Sequence, residues 1–236
     1  MQEFLNELEE TPDSDAISVY MLFGMSVPEI ENLMESIGIQ TLPDELSRAV
    51  AGSKNGAVLF RCKAHMYLIL PPFPFSEKII LNGYDTGPLR LLVSSNFLIG
   101  LILLHLGTYA IGVCQGENLI TSKVGTGLVH GRHKKGGSSQ QRFQRHRQNQ
   151  IDGFLDRVCM HVTEHLGSHA QKLDYIIYGG PYHTVLLLQK RCHFLKSLGA
   201  TVLPLLNVPS LRQKVLETTV GRVWSSCIIE WQEGEV

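Results

Sequence analysis

Net charge is what this sequence lacks most plainly: 21 Lys and Arg stand against 22 Asp and Glu over 236 residues. General attraction to a polyanion is therefore excluded, and any hold on nucleic acid has to come from a local patch. Charged residues make up only 18% and hydrophobic ones 44%, which excludes a disordered chain and suits a sizeable core. The five cysteines, Cys62, Cys114, Cys159, Cys192 and Cys227, form no C-x-x-C pair and read as small buried hydrophobes of a reducing compartment. Neither G-x-x-x-x-G-K-[ST] nor G-x-G-x-x-G occurs, which argues against a nucleotide phosphate loop, and a G-x-S-x-G elbow is missing too. The N-terminal "MQEFLNELEE" has no apolar centre and is not a signal peptide. One uncharged run, the nineteen residues from Asn96 to Cys114, approaches the roughly 20 apolar residues of a membrane span. Its turn-like middle, "HLGT", makes two strands of a buried hairpin the better reading. No membrane partner is expected, and the expected location is cytoplasmic.

Strand and helix signals fill the chain. "AISVYMLF" (Ala16 to Phe23) predicts a strand, and "SVPEIENLMESIG" a short helix with Ser26 as N-cap, Pro28 in its first turn and Gly38 as its stop. "PDELSRAVAG" predicts a second helix, "GAVLFRC" and "HMYLILP" paired strands, "PPFPF" an extended crossing and "EKIILNG" another strand. The carboxylates of the N-terminal region read as a solvated acidic face. After the hairpin Phe97 to Cys114, "QGENLITSKVGTGLVH" continues as strand into a glycine-rich basic segment. A long helix follows, with Phe143, Ile151, Phe154, Leu155, Val158, Val162 and Leu166 along one apolar face. "DYIIYGG" predicts a strand, "PYHTVLLLQKRCHFLKSLG" a helix stopped by Gly199, "TVLPLLNV" a strand and "SLRQKVLETTVGRVW" a helix capped by Ser210. Strands alternating with helices make this half α/β with a largely covered sheet. The expected division is a small α/β region over 1–94 and a second region over 95–236.

The densest chemistry lies in Gly131 to Arg147, "GRHKKGGSSQQRFQRHR", with six Lys or Arg in seventeen residues. From Lys123 to Gln150 there are seven cations and no Asp or Glu, whereas Glu3, Glu7, Glu9, Glu10, Asp13 and Asp15 all precede the first cation. That asymmetry suggests a polyanion on one side only. Gly136 and Gly137 let backbone N–H groups approach a ligand, and a helix starting just after them adds its dipole for an anion or oxyanion. Arg132, Lys134, Lys135, Arg142, Arg145 and Arg147 suit phosphates, with affinity that falls as salt rises. Ser138-x-x-Gln141 is also a capping-box spacing, so a plain loop-to-helix transition with a solvated cationic face fits the same residues.

This stretch resembles the loop and following helix in the middle domain of eukaryotic and archaeal class-I translation release factors. Their pattern runs G-R-G-G-Q-S-A-L-R-F-A-R-x-R. Gly136, Gly137, Arg142, Phe143, Arg145 and Arg147 fall on matching positions without a gap. The likeness covers about Asn96 to Trp224, with a weaker one upstream in "GAVLFRC", "PPFPF" and "IILNGYDTGPLRLLV". It implies a mixed sheet with helices on both faces, preceded by a smaller α/β region. The decoding helices of the release factors' first domain are expected to be missing or reduced, and no third domain is expected after Val236. A hydrolytic module without a codon reader is most similar to the Vms-type relatives, which act on peptidyl-tRNA in ribosome rescue and quality control.

The resemblance implies hydrolysis of the ester joining the nascent peptide to the terminal adenosine of tRNA. Its expected partners are the large ribosomal subunit at the peptidyl-transferase centre, tRNA and rRNA, and it implies no cofactor. The catalytic loop would comprise Gly136, Gly137, Ser138, Ser139, Gln140 and Gln141, positioning water and offering backbone N–H groups to the oxyanion. The six cations would anchor it on RNA phosphates. One departure stands out: release factors place Gln directly after Gly-Gly, and here Ser138 stands there. Rescue-type relatives carry a displaced Gln in a G-G-S-Q-like sequence. Gln140 leads, because Gln141 has the capping role open to it, and Gln141 stays in contention.

Other constellations compete. His161, His165 and His169 recur every four residues beside Glu164, a zinc-like spacing, but "HLGSH" is expected to end the helix near Gly167 and take His169 out of register. A polar helix face without metal is the expected reading. His183 has no visible partner, and none of the cysteines sits beside an obvious base. Two functional alternatives remain open: an inactive ribosome- or RNA-binding factor of the pelota type, and a nuclease cutting tRNA near its CCA end.

Overall fold

The computed structural model describes residues 1–10, 15–39, 42–62, 65–131, 139–209, 211 and 214–232, with Ser139 described through its backbone. Its elements in chain order are α1 (Gln2–Glu10), β1 (Ile17–Met21), α2 (Val27–Ser36), α3 (Asp44–Gly52), β2 (Ala57–Arg61), β3 (Met66–Leu70), β4 (Ile79–Asn82), α4 (Gly87–Ser94), β5 (Leu98–His105), β6 (Thr108–Gln115), β7 (Asn118–Thr126), α5 (Ser139–Leu166), β8 (Tyr175–Gly179), α6 (Tyr182–Arg191), β9 (Thr201–Val202), α7 (Val215–Val223) and β10 (Cys227–Trp231). The chain forms two compact units, Met1–Ser95 with Val223–Val236, and Asn96–Arg222.

The first unit holds an antiparallel sheet in the order β10-β3-β2-β1-β4. Period-two alternation sorts its side chains. Val19, Met21, Leu59 and Leu68 meet α2 and α3 through Ile30, Met34, Leu46 and Val50. Tyr20, Val58, Phe60 and Ile69 meet α1 and α4 through Leu5, Leu8 and Leu89. The capping arrangement at α2 is present, the Ser26 N–H donating to Glu29 Oε2 at 2.7 Å. The carboxylates of α1, Glu3, Glu7, Glu9 and Glu10, are all exposed, and one of them is also tied to α4. Glu9 accepts from the Thr86 hydroxyl and from Arg90 Nε at 3.0 Å, and Arg90 also reaches Asn6 at 2.8 Å and Gln2 at 3.1 Å. The Thr86 bond, followed by those of Arg90, draws the Glu9 carboxyl below its ordinary value. This Arg90 fan pins α1 to α4.

The second unit is a mixed sheet in the order β7-β6-β5-β8-β9: β5, β6 and β7 pair antiparallel, while β8 runs parallel to β5 and β9 parallel to β8. The uncharged run therefore becomes β5 and β6, and among the described residues no helix is long and apolar enough to cross a membrane. Ile102, Leu104, Tyr109, Ile111 and Val113 face α5 and α6. On the other face Leu216 of α7 lies against Gly112, its Cδ2 3.3 Å from where a Cβ would stand. Helices thus cover both faces, as the α/β reading requires.

Several sequence expectations need correction. Phe143 does not join the apolar face of α5; it is 58% exposed, because the helix outruns the sheet and the first core contact is Ile151. The helix expected up to Gly199 ends at Arg191, where Cys192 turns extended and a single 3₁₀ turn, His193–Lys196, follows. The strand expected over "TVLPLLNV" shrinks to Thr201–Val202 and one bridge from Leu206 to Gly179, since Pro204 has no N–H for a ladder. The proposed cap Ser210 lies outside the described residues. Nor are the cysteines uniformly buried and unpaired: Cys159 and Cys192, one on α5 and one just after α6, form a disulfide with Cα atoms 5.3 Å apart. Cys227 is exposed, and only Cys114 keeps the expected character, its thiol pushed up to about 11 by burial.

Beside that disulfide, Arg191 forks onto Asp156, with its second amine 2.7 Å from Oδ2, and lies 3.6 Å from Asp152. These bonds hold the Asp156 carboxyl below the usual range. A carboxyl depressed by folding contributes stability that is full above its unfolded value, about 3.9. That stability is lost as pH falls through the lower folded value. With Asp156 58% exposed, the contribution stays below about 1 kcal/mol. Urea unfolding followed from about pH 5 down to about pH 2 is expected to lose stability more steeply in the wild type than in Asp156→Asn.

Candidate functional site

Beyond β7 the chain runs past α5 at Gly127. A Cβ there would stand 2.6 Å from Phe154 Cδ2, so only glycine lets the backbone pass so close to the helix. The Gly127 N–H donates to Gly107 O at 2.9 Å, and Arg157 reaches Thr126 O at 3.4 Å. Val129 packs on the core while Leu128 is exposed. At His130 both backbone groups are taken by α5: the N–H donates to Gln150 Oε1 at 3.1 Å, and the C=O accepts from Arg147 Nε at 2.9 Å. The rings of His130 and His146 lie 6.4 Å apart.

Of the candidate residues, Arg132, Lys134, Lys135, Gly136, Gly137 and Ser138 lie outside the described residues. Ser139 is the first residue of α5. Twelve residues of α5 precede Ile151, about 18 Å of helix. Gln140, Gln141, Arg142 and Arg145 are exposed there, and Arg147 is half-buried. Helical periodicity separates them. Gln140, Gln144 and Arg147 follow one another at four- and three-residue steps, on the face that Arg147 turns toward His130. Gln141, Arg145 and Gln148 follow the neighbouring face, where Gln148 donates to Asp152 at 2.9 Å. No carboxylate precedes Asp152 on this helix, so its exposed first turns carry only cationic and neutral groups, reinforced by the positive end of the helix dipole.

The histidine series does not assemble. His161 Nδ1 pairs with Glu164 Oε2 at 3.0 Å, His165 Nδ1 lies 2.8 Å from Thr121 Oγ1, and His169 sits in a separate 3₁₀ turn after α5 ends at Leu166. Among the described residues no cluster of His, Cys, Asp or Glu is arranged to hold a metal. His183 is exposed in the first turn of α6. The residues that sequence reasoning missed are His130 and Gln150. They belong to no motif, and the one available signal was that Gln150 falls a helical turn beyond Arg147.

Residues 98–228 match the family described as acVLRF1, the Actinobacteria/Chloroflexi VLRF1 release factor. Peptide chain release factor subunit 1 of Archaeoglobus fulgidus is 24% identical over 217 residues, covering 78% of this chain and 53% of that protein. Its counterpart in Aeropyrum pernix is 30% identical over 149 residues, covering 58% of this chain and 40% of the relative. The chain thus spans about half the length of these curated relatives or less. A crystal structure of the archaeal translation termination factor aRF1 aligns with 94% of this chain and 71% of its own, at 20% identity and a TM-score of 0.38. With more than half its length matched, including β5 through β9, the whole of α5 and α7, this chain belongs to the VLRF1 release factor family.

Proposed function

We propose that this protein hydrolyses the ester of ribosome-bound peptidyl-tRNA, freeing the nascent peptide during rescue or quality control of stalled ribosomes in the cytoplasm. The supporting observation is an R-F-x-R-x-R run on the first turns of α5, with Arg142, Phe143 and Arg145 exposed, that is separated from Gly-Gly by four residues in the sequence of a chain of a release-factor family. In this reading the unit Asn96–Arg222 carries the hydrolytic module, and the unit of Met1–Ser95 with Val223–Val236 stands as the reduced counterpart of the release factors' first domain. Gly136 and Gly137 offer backbone N–H groups to the developing oxyanion, with Ser138 and Ser139 completing the loop. Gln140 orients the attacking water; a neutral amide is too weak a base for more. Arg132, Lys134, Lys135, Arg142 and Arg145 hold RNA phosphates near the peptidyl-transferase centre, and the reaction needs no cofactor.

A second reading is favoured by one observation, Ser138 in place of the Gln that release factors carry after Gly-Gly. In that reading the chain binds the ribosome without turnover. Incubation with stalled ribosomes carrying labelled peptidyl-tRNA separates them. Free peptide with intact tRNA is the expected product, and peptide still bearing a CCA fragment would make the protein a nuclease. Salt-sensitive binding with no turnover would establish the inactive factor.

The cations give a separate prediction. Arg142→Ala and Arg145→Ala are each expected to reduce the slope of log affinity against log salt by about one. At saturating protein the release rate should stay near wild type, which a ribosome-binding titration over salt and a single-turnover assay would check.

A further inference from the structure

We infer that Arg147 and Gln150 form a side-chain clamp on His130 that fixes both stems of the glycine loop, which makes Gln150 a positioning residue for ester hydrolysis. The inference rests on the hydrolase reading for its catalytic consequence, though the clamp itself does not. In an extended segment the N–H and C=O of one residue point to the same side, as they do toward a neighbouring strand. At His130 no strand is there to receive them. Instead Gln150 Oε1 accepts the N–H at 3.1 Å and Arg147 Nε donates to the C=O at 2.9 Å, from two residues one helical turn apart on α5. The pair substitutes for a ladder partner and closes a segment of sixteen residues between His130 and Arg147.

Each stem has its own anchorage besides the clamp. Gly127 and Val129 hold the segment leaving β7 against the core, and Ile151 begins the packing of α5 directly after Gln150. Between those anchorages the clamp sets the separation between His130 and the Arg147–Gln150 turn of α5. A loop that has to bring backbone donors and an amide to one ester depends on that separation, because small displacements of a reacting group cost large factors in rate. Arg147 has its Nε committed to His130, with its two Nη groups left for phosphate. Gln150 carries no charge, so its contribution can be separated from RNA affinity.

The test compares Gln150→Leu, which cannot accept the His130 N–H, with Gln150→Glu, which can. Gln150→Leu is expected to lower the single-turnover release rate by roughly tenfold, with ribosome affinity and its salt slope unchanged, and Gln150→Glu to recover most of the rate. Amide hydrogen exchange at His130 reads the clamp without any turnover: protection is expected in the wild type and Gln150→Glu, and loss in Gln150→Leu. Equal His130 exchange in all three proteins would overturn the clamp. Loss of protection together with a wild-type release rate would overturn the positioning role, as would a loss in ribosome affinity alone. If the wild type releases no peptide, the hydrolase reading and the catalytic role of Gln150 fall together, while the exchange result still decides the clamp.

Discussion

Gln140→Ala is expected to slow peptide release by about 100-fold or more in a single-turnover assay, with ribosome binding unchanged. The size follows from removing a preorganised polar group from a reacting centre, which typically costs two to three orders of magnitude when the group acts only on the transition state. Binding should survive because Gln140 carries no charge and phosphate contacts dominate affinity. Gln141→Ala is expected to stay within about threefold of the wild-type rate, losing instead about 1 kcal/mol of helix stability if it closes a capping box with Ser138. Helical register supports the assignment. Gln140 stands on the face of α5 that Arg147 turns toward His130, whereas Gln141 shares a face with Arg145 and Gln148, and Gln148 donates to Asp152. The reverse outcome, an inert Gln140→Ala beside a dead Gln141→Ala, would move the catalytic amide by one residue. Both variants active would remove the side-chain amides from the mechanism.

Why so much of this was legible, and some not, follows from the physics of each segment. The β5–β6 hairpin was readable because eight-residue apolar strands flank a glycine turn, a local pattern that tertiary context has little power to change. The long helix was readable from Ile151 onward, where burial enforces the period. Phe143 was misplaced by the same rule, since periodicity assigns a face but not the point at which the partner sheet runs out. The shortened β9 and α6 were overestimated because apolar content was read as length, although Pro204 and the extended Cys192 interrupt both. Strand β10 escaped because five residues after a helix carry little pattern, and its place is set by pairing with β3, distant in sequence. The disulfide escaped for a related reason: Cys159 and Cys192 are 33 residues apart, and only the packing of α5 on α6 brings them together. At the candidate site, the glycines and cations were visible as motif, whereas the His130 clamp uses two side chains with no compositional signature.

A large effect on the fold is expected from Gly180→Ala, at the turn where β8 ends and the chain heads for α6. Gly180 has φ +112, and a Cβ on it would stand 2.1 Å from Leu104 O and 3.1 Å from the Leu104 carbonyl carbon. Both obstacles are backbone of β5, so no side-chain rotation relieves them, and the positive φ adds strain of its own for any L side chain. Relief would require β5 and the end of β8 to separate, at the point where the Gly180 N–H donates to Leu206 O at 3.1 Å and the bridge from Gly179 to Leu206 continues the sheet edge. A destabilisation of about 3 kcal/mol or more is expected, among the costliest single changes available to the second unit. Gly153→Ala is the contrasting control. It lies exposed inside α5 with nothing within 4 Å of the added methyl, so it is expected to stabilise by about 0.5–1 kcal/mol through helix propensity and a less flexible unfolded chain. Urea midpoints of the three proteins, at unchanged slope, read both effects directly. Comparable midpoints for wild type and Gly180→Ala would mean that the turn relaxes in a way the β5–β8 pairing does not permit here.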